Sequence, residues 1–250
     1  MCKSQKNSYI TNEVRKPLPN KTWLHSADYN LSLFKDNLYE QFNVFLPNEI
    51  KHAVVKRRAE FLAGRYLLKK GLIDFNIFDY HAMIGINRQP ILPKGILASI
   101  SHTETKVYCA IKRNIPGSIL GIDVENILNS DLAKEVKEIV ITNIEEQYLN
   151  TLNHPFNTLL TIAFSAKESL FKSTYRFANK YFGFEYAEIY EINLANDTFT
   201  LRLQKDISPS LQKGHTFSGN FKIENNTIFT IISEVNTLVK VPPLKNMVSN

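Results

Sequence analysis

The chain has 250 residues, 44% hydrophobic and 22% charged, and its 30 Lys and Arg against 24 Asp and Glu leave a formal charge of +6. That length suits one large domain or two small ones, and the composition excludes disordered and collagen-like chains. The positive balance favours anionic partners such as nucleotides, acidic proteins, nucleic acids or anionic membranes. Cys2 and Cys109 give neither a disulfide framework nor a metal cluster, and no apolar signal core or bilayer-length run stands out, so a cytoplasmic location is expected.

Residues 1–47 are polar and rich in Asn and aromatics, and no element is assigned to them. After Pro47, with Asn48 as N-cap, residues 49–72 read as one helix, with Val54, Val55, Ala59, Leu62, Ala63, Tyr66 and Leu67 on one stripe and Gly71 ending it. Residues 74–97 read as loop, punctuated by Pro90, Pro93 and Gly95. Ile96 to Ile100 and Lys106 to Lys112 read as paired strands around a polar turn at Ser101-His102-Thr103-Glu104, and residues 118–125 as a third strand.

Leu132 to Leu152 has apolar residues at helical spacing, and Thr158 to Tyr175 reads as a second, more buried helix. Strands are predicted at 186–194, 199–203, 216–223 and 228–235, broken by Asn-rich turns, and the tail past Pro242-Pro243 is expected to be loose. Helix and strands in both halves predict an α+β fold with two related lobes, 1–120 and 121–240, ahead of a tail at 241–250.

Four clusters could carry chemistry. In Gly121-Ile122-Asp123-Val124-Glu125, strand alternation turns Asp123 and Glu125 to one side and Ile122 and Val124 to the core. Two such carboxylates repel unless a cation lies between them, and oxygen-only ligation suits Mg²⁺; a solvated strand end is the plain alternative. In Phe164-Ser165-Ala166-Lys167-Glu168-Ser169-Leu170-Phe171-Lys172, Glu168 and Lys172 share a helix face while Lys167 points elsewhere. An ordinary ion pair is the alternative there.

Ser99-Ile100-Ser101-His102-Thr103 could hold a phosphate oxygen or be a simple hairpin turn. The basic run from Lys51 to Lys70, together with Arg88, could bind phosphates or an acidic protein, or be a solvated helix face.

Taken in order, RRAEFLAGR (57–65), NRQPILP (87–93), SISHT (99–103), GIDVE (121–125) and FSAKESLFK (164–172) resemble the motifs of the phosphopantetheinyl transferases, in particular the enterobactin synthase component D type. The resemblance covers roughly residues 45–235. It implies a pseudo-twofold α+β architecture, each lobe having antiparallel strands on a long helix, with coenzyme A in the cleft between them. It also implies Mg²⁺ on Asp123, Glu125 and Glu168, with Glu168 and Lys172 catalytic.

By the same resemblance, Arg58, Arg65, Arg88, Ser101, His102, Lys167 and Lys172 are expected to contact coenzyme A. The expected partner is an acidic apo-carrier domain of a nonribosomal peptide or siderophore synthetase, modified by a monomeric enzyme. A magnesium-dependent phosphohydrolase and a non-catalytic binder of nucleotide or nucleic acid are the alternative classes; no recognised nucleic-acid signature is present.

Overall fold

A computed structural model describes residues 8–85, 89–178 and 181–235. Two antiparallel sheets carry the chain. The first has four strands in the order β1-β2-β4-β3: β1 (Ile10–Leu18), β2 (Thr22–Tyr29), β3 (Ile96–His102) and β4 (Lys106–Arg113). The second has five in the order β5-β9-β8-β7-β6: β5 (Ile119–Asn126), β6 (Ala187–Asn193), β7 (Thr198–Leu203), β8 (Thr216–Glu224) and β9 (Thr227–Glu234). Short helices α1 (Leu38–Gln41) and α2 (Asn48–Lys51) precede the long α3 (Val55–Ile73); α4 (Ser130–Val140), α5 (Asn143–Thr151) and the long α6 (Phe156–Thr174) lie between β5 and β6.

Each sheet buries one face under a long helix. Helix α3 lies on β2, β3 and β4, its Ala59, Leu62, Ala63 and Leu67 sharing a core with Val107, Cys109 and Ile111. Helix α6 lies on β5 and β9, where Leu159, Ile162 and Ala166 join Phe199, Leu201, Phe217 and Ile232. Leu24, Leu97 and Ala110 of the first sheet and Leu120, Ile122 and Ile231 of the second form a third apolar cluster between the sheets. The α+β class follows from this arrangement.

Several boundaries differ from expectation for identifiable reasons. The helix foreseen over 49–72 is two helices, broken at 52–54, and Val54 and Val55 are exposed rather than on the buried stripe. Pro47, not Asn48, is the N-cap residue of α2. Gly71 does not end α3; it lets the helix approach β4, because a Cβ there would stand 3.0 Å from Ile111 Cγ2.

The helix foreseen over 132–152 is also two, since Thr142 starts α5 with a capping box in which its side chain and Glu145 satisfy each other's backbone N–H groups. Ser101 and His102 belong to β3 and not to a turn. The unassigned N-terminal segment supplies β1 and β2, joined by a turn in which Asn20 and Lys21 take φ of 57° and 54°. The expected loose tail lies outside the described residues, and among those described no helix is long and apolar enough to cross a membrane.

Candidate active site

The strand β5 places Ile122 and Val124 in the core and Asp123 and Glu125 on its other side. Asp123 is itself buried, 2% exposed. Its Oδ1 accepts from Lys172 Nζ at 2.7 Å and from Ser101 Oγ at 3.0 Å, while its Oδ2 is buried with no hydrogen-bond partner. Helix α6 brings Lys172 to this point because small residues line the turns facing the sheet. Ser165 and Ser169 hydroxyls meet Thr230 Oγ1 at 2.9 and 2.7 Å, and a Cβ on Gly121 would stand 2.0 Å from the Ser169 carbonyl oxygen.

Glu168, one turn before Lys172, is partly buried on the same helix face. Burial raises its pKa above the ordinary carboxylate range, and the Asp123 charge adds to the rise. Glu125 is pushed up to about 8, first by burial and then by Asp123, with Lys172 opposing and Glu168 adding. The three acids are therefore near enough to perturb one another. Among the described residues, however, no group of three His, Cys, Asp or Glu is drawn together as a metal cluster. The Lys172 ammonium holds the Asp123 oxygen instead.

A cavity of about 260 Å³ opens beside this centre, lined by Glu168, Phe171 and Lys172 of α6, by Tyr175 just after it, and by residues of α3 and β3. Arg65 lines it, 9% exposed, with its guanidinium 4.7 Å from the Phe61 ring centroid and a buried Nε that has no hydrogen-bond partner. Burial lowers its pKa to about 10. His102 lines the cavity with Nε2 3.7 Å from Glu60. Burial holds its pKa below the usual value against the pull of Glu60, and Arg57 and Lys172 lower it further.

Other expected site residues stand elsewhere. Arg58 turns from the cavity: its Nε is 2.9 Å from Asp36 Oδ1 and its Nη1 2.6 Å from the Ala53 carbonyl, so it ties α3 to the N-terminal loops. Lys167 is buried on the far side of α6, with Nζ 2.7 Å from Glu145 Oε1 and 2.7 Å from the Val140 carbonyl. Being adjacent to Glu168, it cannot share that residue's face. Arg88 lies outside the described residues.

Sequence reasoning missed Arg57, Glu60 and Gln89, which line the cavity together with Arg65 and His102. Arg57 and Arg58 were indistinguishable as a basic pair, and only the helix phase tells which one turns inward. Glu60, a lone acid in a basic run, was the available signal.

Residues 46–112 match the family model described as the 4'-phosphopantetheinyl transferase N-terminal domain, and residues 119–227 match the 4'-phosphopantetheinyl transferase superfamily. Enterobactin synthase component D of Salmonella typhi is 30% identical over 216 residues, 85% of this chain and 86% of that protein. The chain belongs to the 4'-phosphopantetheinyl transferase superfamily.

Within the superfamily it is similar to the enterobactin synthase component D type. The Salmonella typhimurium protein of that name is 36% identical over 152 residues, 60% of this chain and 61% of its own length. The Escherichia coli K12 protein is 36% identical over 140 residues, 55% of this chain and 66% of its own. The matched segments thus span less than two thirds of these last two relatives. The two family matches are separated by residues 113–118, which join β4 to β5.

Proposed function

We propose that the protein transfers the 4'-phosphopantetheine arm of coenzyme A to a serine of an apo-carrier protein of a nonribosomal peptide or siderophore synthetase, releasing adenosine 3',5'-bisphosphate. The observation that carries this reading is the cleft itself. Unpartnered Arg65 Nε, His102 and Arg57 line a single cavity together with Lys172 and Glu168. The two arginines and the histidine suit nucleotide phosphates, and a lysine beside acids suits a diphosphate undergoing displacement.

The acidic centre fits a divalent ion. Its donors are all oxygens, Asp123 Oδ2 is buried without a partner, and Glu125 and Glu168 are raised partly by neighbouring negative charge. Asp123, Glu125 and Glu168 would hold Mg²⁺. When bound, the ion supplies positive charge to the diphosphate oxygens and orients the leaving group.

The chain's own residues do the rest. Arg65, Arg57 and His102 bind the phosphate end of coenzyme A, and Lys172 neutralises charge at the scissile diphosphate. The carrier serine oxygen bonds to the phosphorus bearing pantetheine as the bond from that phosphorus to the bridging oxygen breaks. The serine proton passes to Glu168, a carboxylate lining the same cavity as Lys172. Positioning and electrostatics supply most of such a barrier reduction.

The carrier is expected to be acidic around its serine, complementing the chain's +6 charge. The enzyme is taken to act in the cytoplasm as a monomer, and its two sheet-and-helix units to be pseudo-twofold lobes meeting near residue 120. Supporting the lobes, α3 and α6 are both 19-residue helices laid across an antiparallel sheet. The test is incubation with coenzyme A, Mg²⁺ and an apo-carrier domain, read by intact mass. A gain of one phosphopantetheine unit on the carrier supports the reading; release of free phosphopantetheine without carrier points to a hydrolase instead.

A further inference from the structure

The two sheets meet edge to edge where the acidic centre is built. Strand β3 is the edge of the four-stranded sheet and β5 the edge of the five-stranded one. An edge strand leaves alternate backbone N–H groups without a ladder partner, and burying them unpaired is costly. Here two serine hydroxyls take the place of a ladder: Ser99 Oγ accepts from Ile122 N–H at 3.0 Å, and Ser101 Oγ from Val124 N–H at 3.3 Å. The spacing of two on both strands makes them a pair of stitches that fixes the register of β5 against β3.

The second stitch does more than the first. Ser101 Oγ also donates to Asp123 Oδ1 at 3.0 Å and accepts from Lys172 Nζ at 3.1 Å. A hydroxyl has one proton and two lone pairs, so these three bonds use its whole capacity. Nothing remains for a phosphate oxygen, and the side chain is buried, 6% exposed. The contact with coenzyme A that the family resemblance implies for Ser101 therefore does not suit this geometry.

We infer that Ser101 is a positioning residue: its hydroxyl locks Asp123 and Lys172 to the β5 backbone and so sets the carboxylate toward the metal position, without touching coenzyme A. This rests on the transferase reading above and deepens it. With Ser101 bonded to Oδ1, the aspartate rotamer is fixed and Oδ2 is left as the free donor. Without the hydroxyl, the carboxylate keeps only Lys172 as a partner and can turn about its own Cα–Cβ bond.

The experiment compares Ser101→Ala with Ser99→Ala. Mg²⁺ affinity is titrated by calorimetry on the protein alone, steady-state transfer is measured in parallel, and thermal unfolding checks the fold. Loss of a charge-assisted hydrogen bond is expected to weaken Mg²⁺ binding and lower kcat about tenfold in Ser101→Ala, with KM for coenzyme A within about twofold of wild type. Ser99→Ala is expected to lose stability with Mg²⁺ affinity retained. Ser101→Thr, which keeps a hydroxyl, is expected to recover Mg²⁺ binding, and serves as the comparison if Ser101→Ala does not fold.

A raised KM for coenzyme A with kcat and Mg²⁺ affinity unchanged in Ser101→Ala would overturn the inference. So would equal loss of Mg²⁺ affinity in both alanine variants, which reduces the stitches to a purely structural role. The Mg²⁺ titration needs neither coenzyme A nor carrier. If the wild-type protein modifies no carrier while Ser101→Ala still loses Mg²⁺ affinity, the transferase reading fails and the positioning role stands.

Discussion

Lys167 and Glu145 form a buried ion pair 2.7 Å apart, their side chains 3% and 2% exposed. The pair is saturated: Glu145 also accepts from the Ile189 and Thr142 N–H groups and the Thr142 hydroxyl, and Lys167 donates to the Val140 carbonyl at the end of α4. One contact thus joins α4, α5, α6 and β6, and it fixes the rotation of the helix whose next residue is Glu168.

Breaking one half of such a pair leaves the other charge buried and unmatched. Lys167→Met is expected to destabilise the fold by about 3 to 5 kcal/mol, and Lys167→Met with Glu145→Gln by clearly less, as measured by urea unfolding. Coenzyme A KM is expected to be unchanged in whatever folded Lys167→Met can be prepared. A selective rise in that KM would return Lys167 to the coenzyme A site.

Glu125 gives the metal-free protein a pH signature. Its folded pKa of about 8 lies above the ordinary 4.5, so below 4.5 the carboxyl is protonated in both states and no penalty arises. Between 4.5 and about 8 the unfolded chain ionises more readily than the folded one, so stability falls as pH rises through that window. The melting temperature in chelator is expected to drop across it, Glu125→Gln to flatten the drop, and added Mg²⁺ to stabilise most at the alkaline end. Differential scanning calorimetry checks all three.

Arg65 and Arg58 are expected to separate cleanly. Arg65 presents an unpartnered, buried guanidinium nitrogen to the cavity, so Arg65→Lys should raise coenzyme A KM about tenfold or more through loss of the planar fork. Arg58 is committed to Asp36 and the Ala53 carbonyl, so Arg58→Met should lower the melting temperature with little effect on that KM. Steady-state kinetics with a thermal melt distinguishes them.

Gly121 is the close-approach point of β5 and α6. A Cβ there would lie 2.0 Å from the Ser169 carbonyl oxygen and 2.7 Å from Ser173 N, both rigid helix backbone. Gly121→Ala is expected to cost about 3 kcal/mol and to shift Asp123 relative to Lys172, lowering transfer as well as stability. Unfolding curves with activity at saturating substrate test it.

Much of this could be read from the sequence because periodicity and alternation are local. The alternation in Ile122-Asp123-Val124-Glu125 gave the correct burial of the two apolar residues, and Asn-containing turns marked the β6–β7 and β8–β9 connections. What escaped depended on partners distant in sequence. Strand β1 is exposed from Asn12 to Pro17 and is joined to β2 through Asn20 and Lys21 without the glycine that usually marks such a turn.

The break at Thr142 was visible as a capping-box spacing, but the apolar pattern runs through it and hid it. Lys167 was expected at coenzyme A only through the family resemblance, while its place beside Glu168 already turned it from that residue's helix face. Its ion-pair partner, Glu145, stands 22 positions away, and Ser101 meets Val124 and Asp123 across a sheet boundary that no local pattern encodes.

The central claim is that Glu168 works with Asp123 beside one diphosphate, and Glu168→Gln tests it most directly because the amide keeps the shape and removes the negative charge. Transfer to apo-carrier at saturating Mg²⁺ and coenzyme A is expected to fall about a hundredfold or more, with the fold and melting temperature retained. A transfer rate near that of the wild-type protein would contradict the role of Glu168 both as proton acceptor and in the acidic centre.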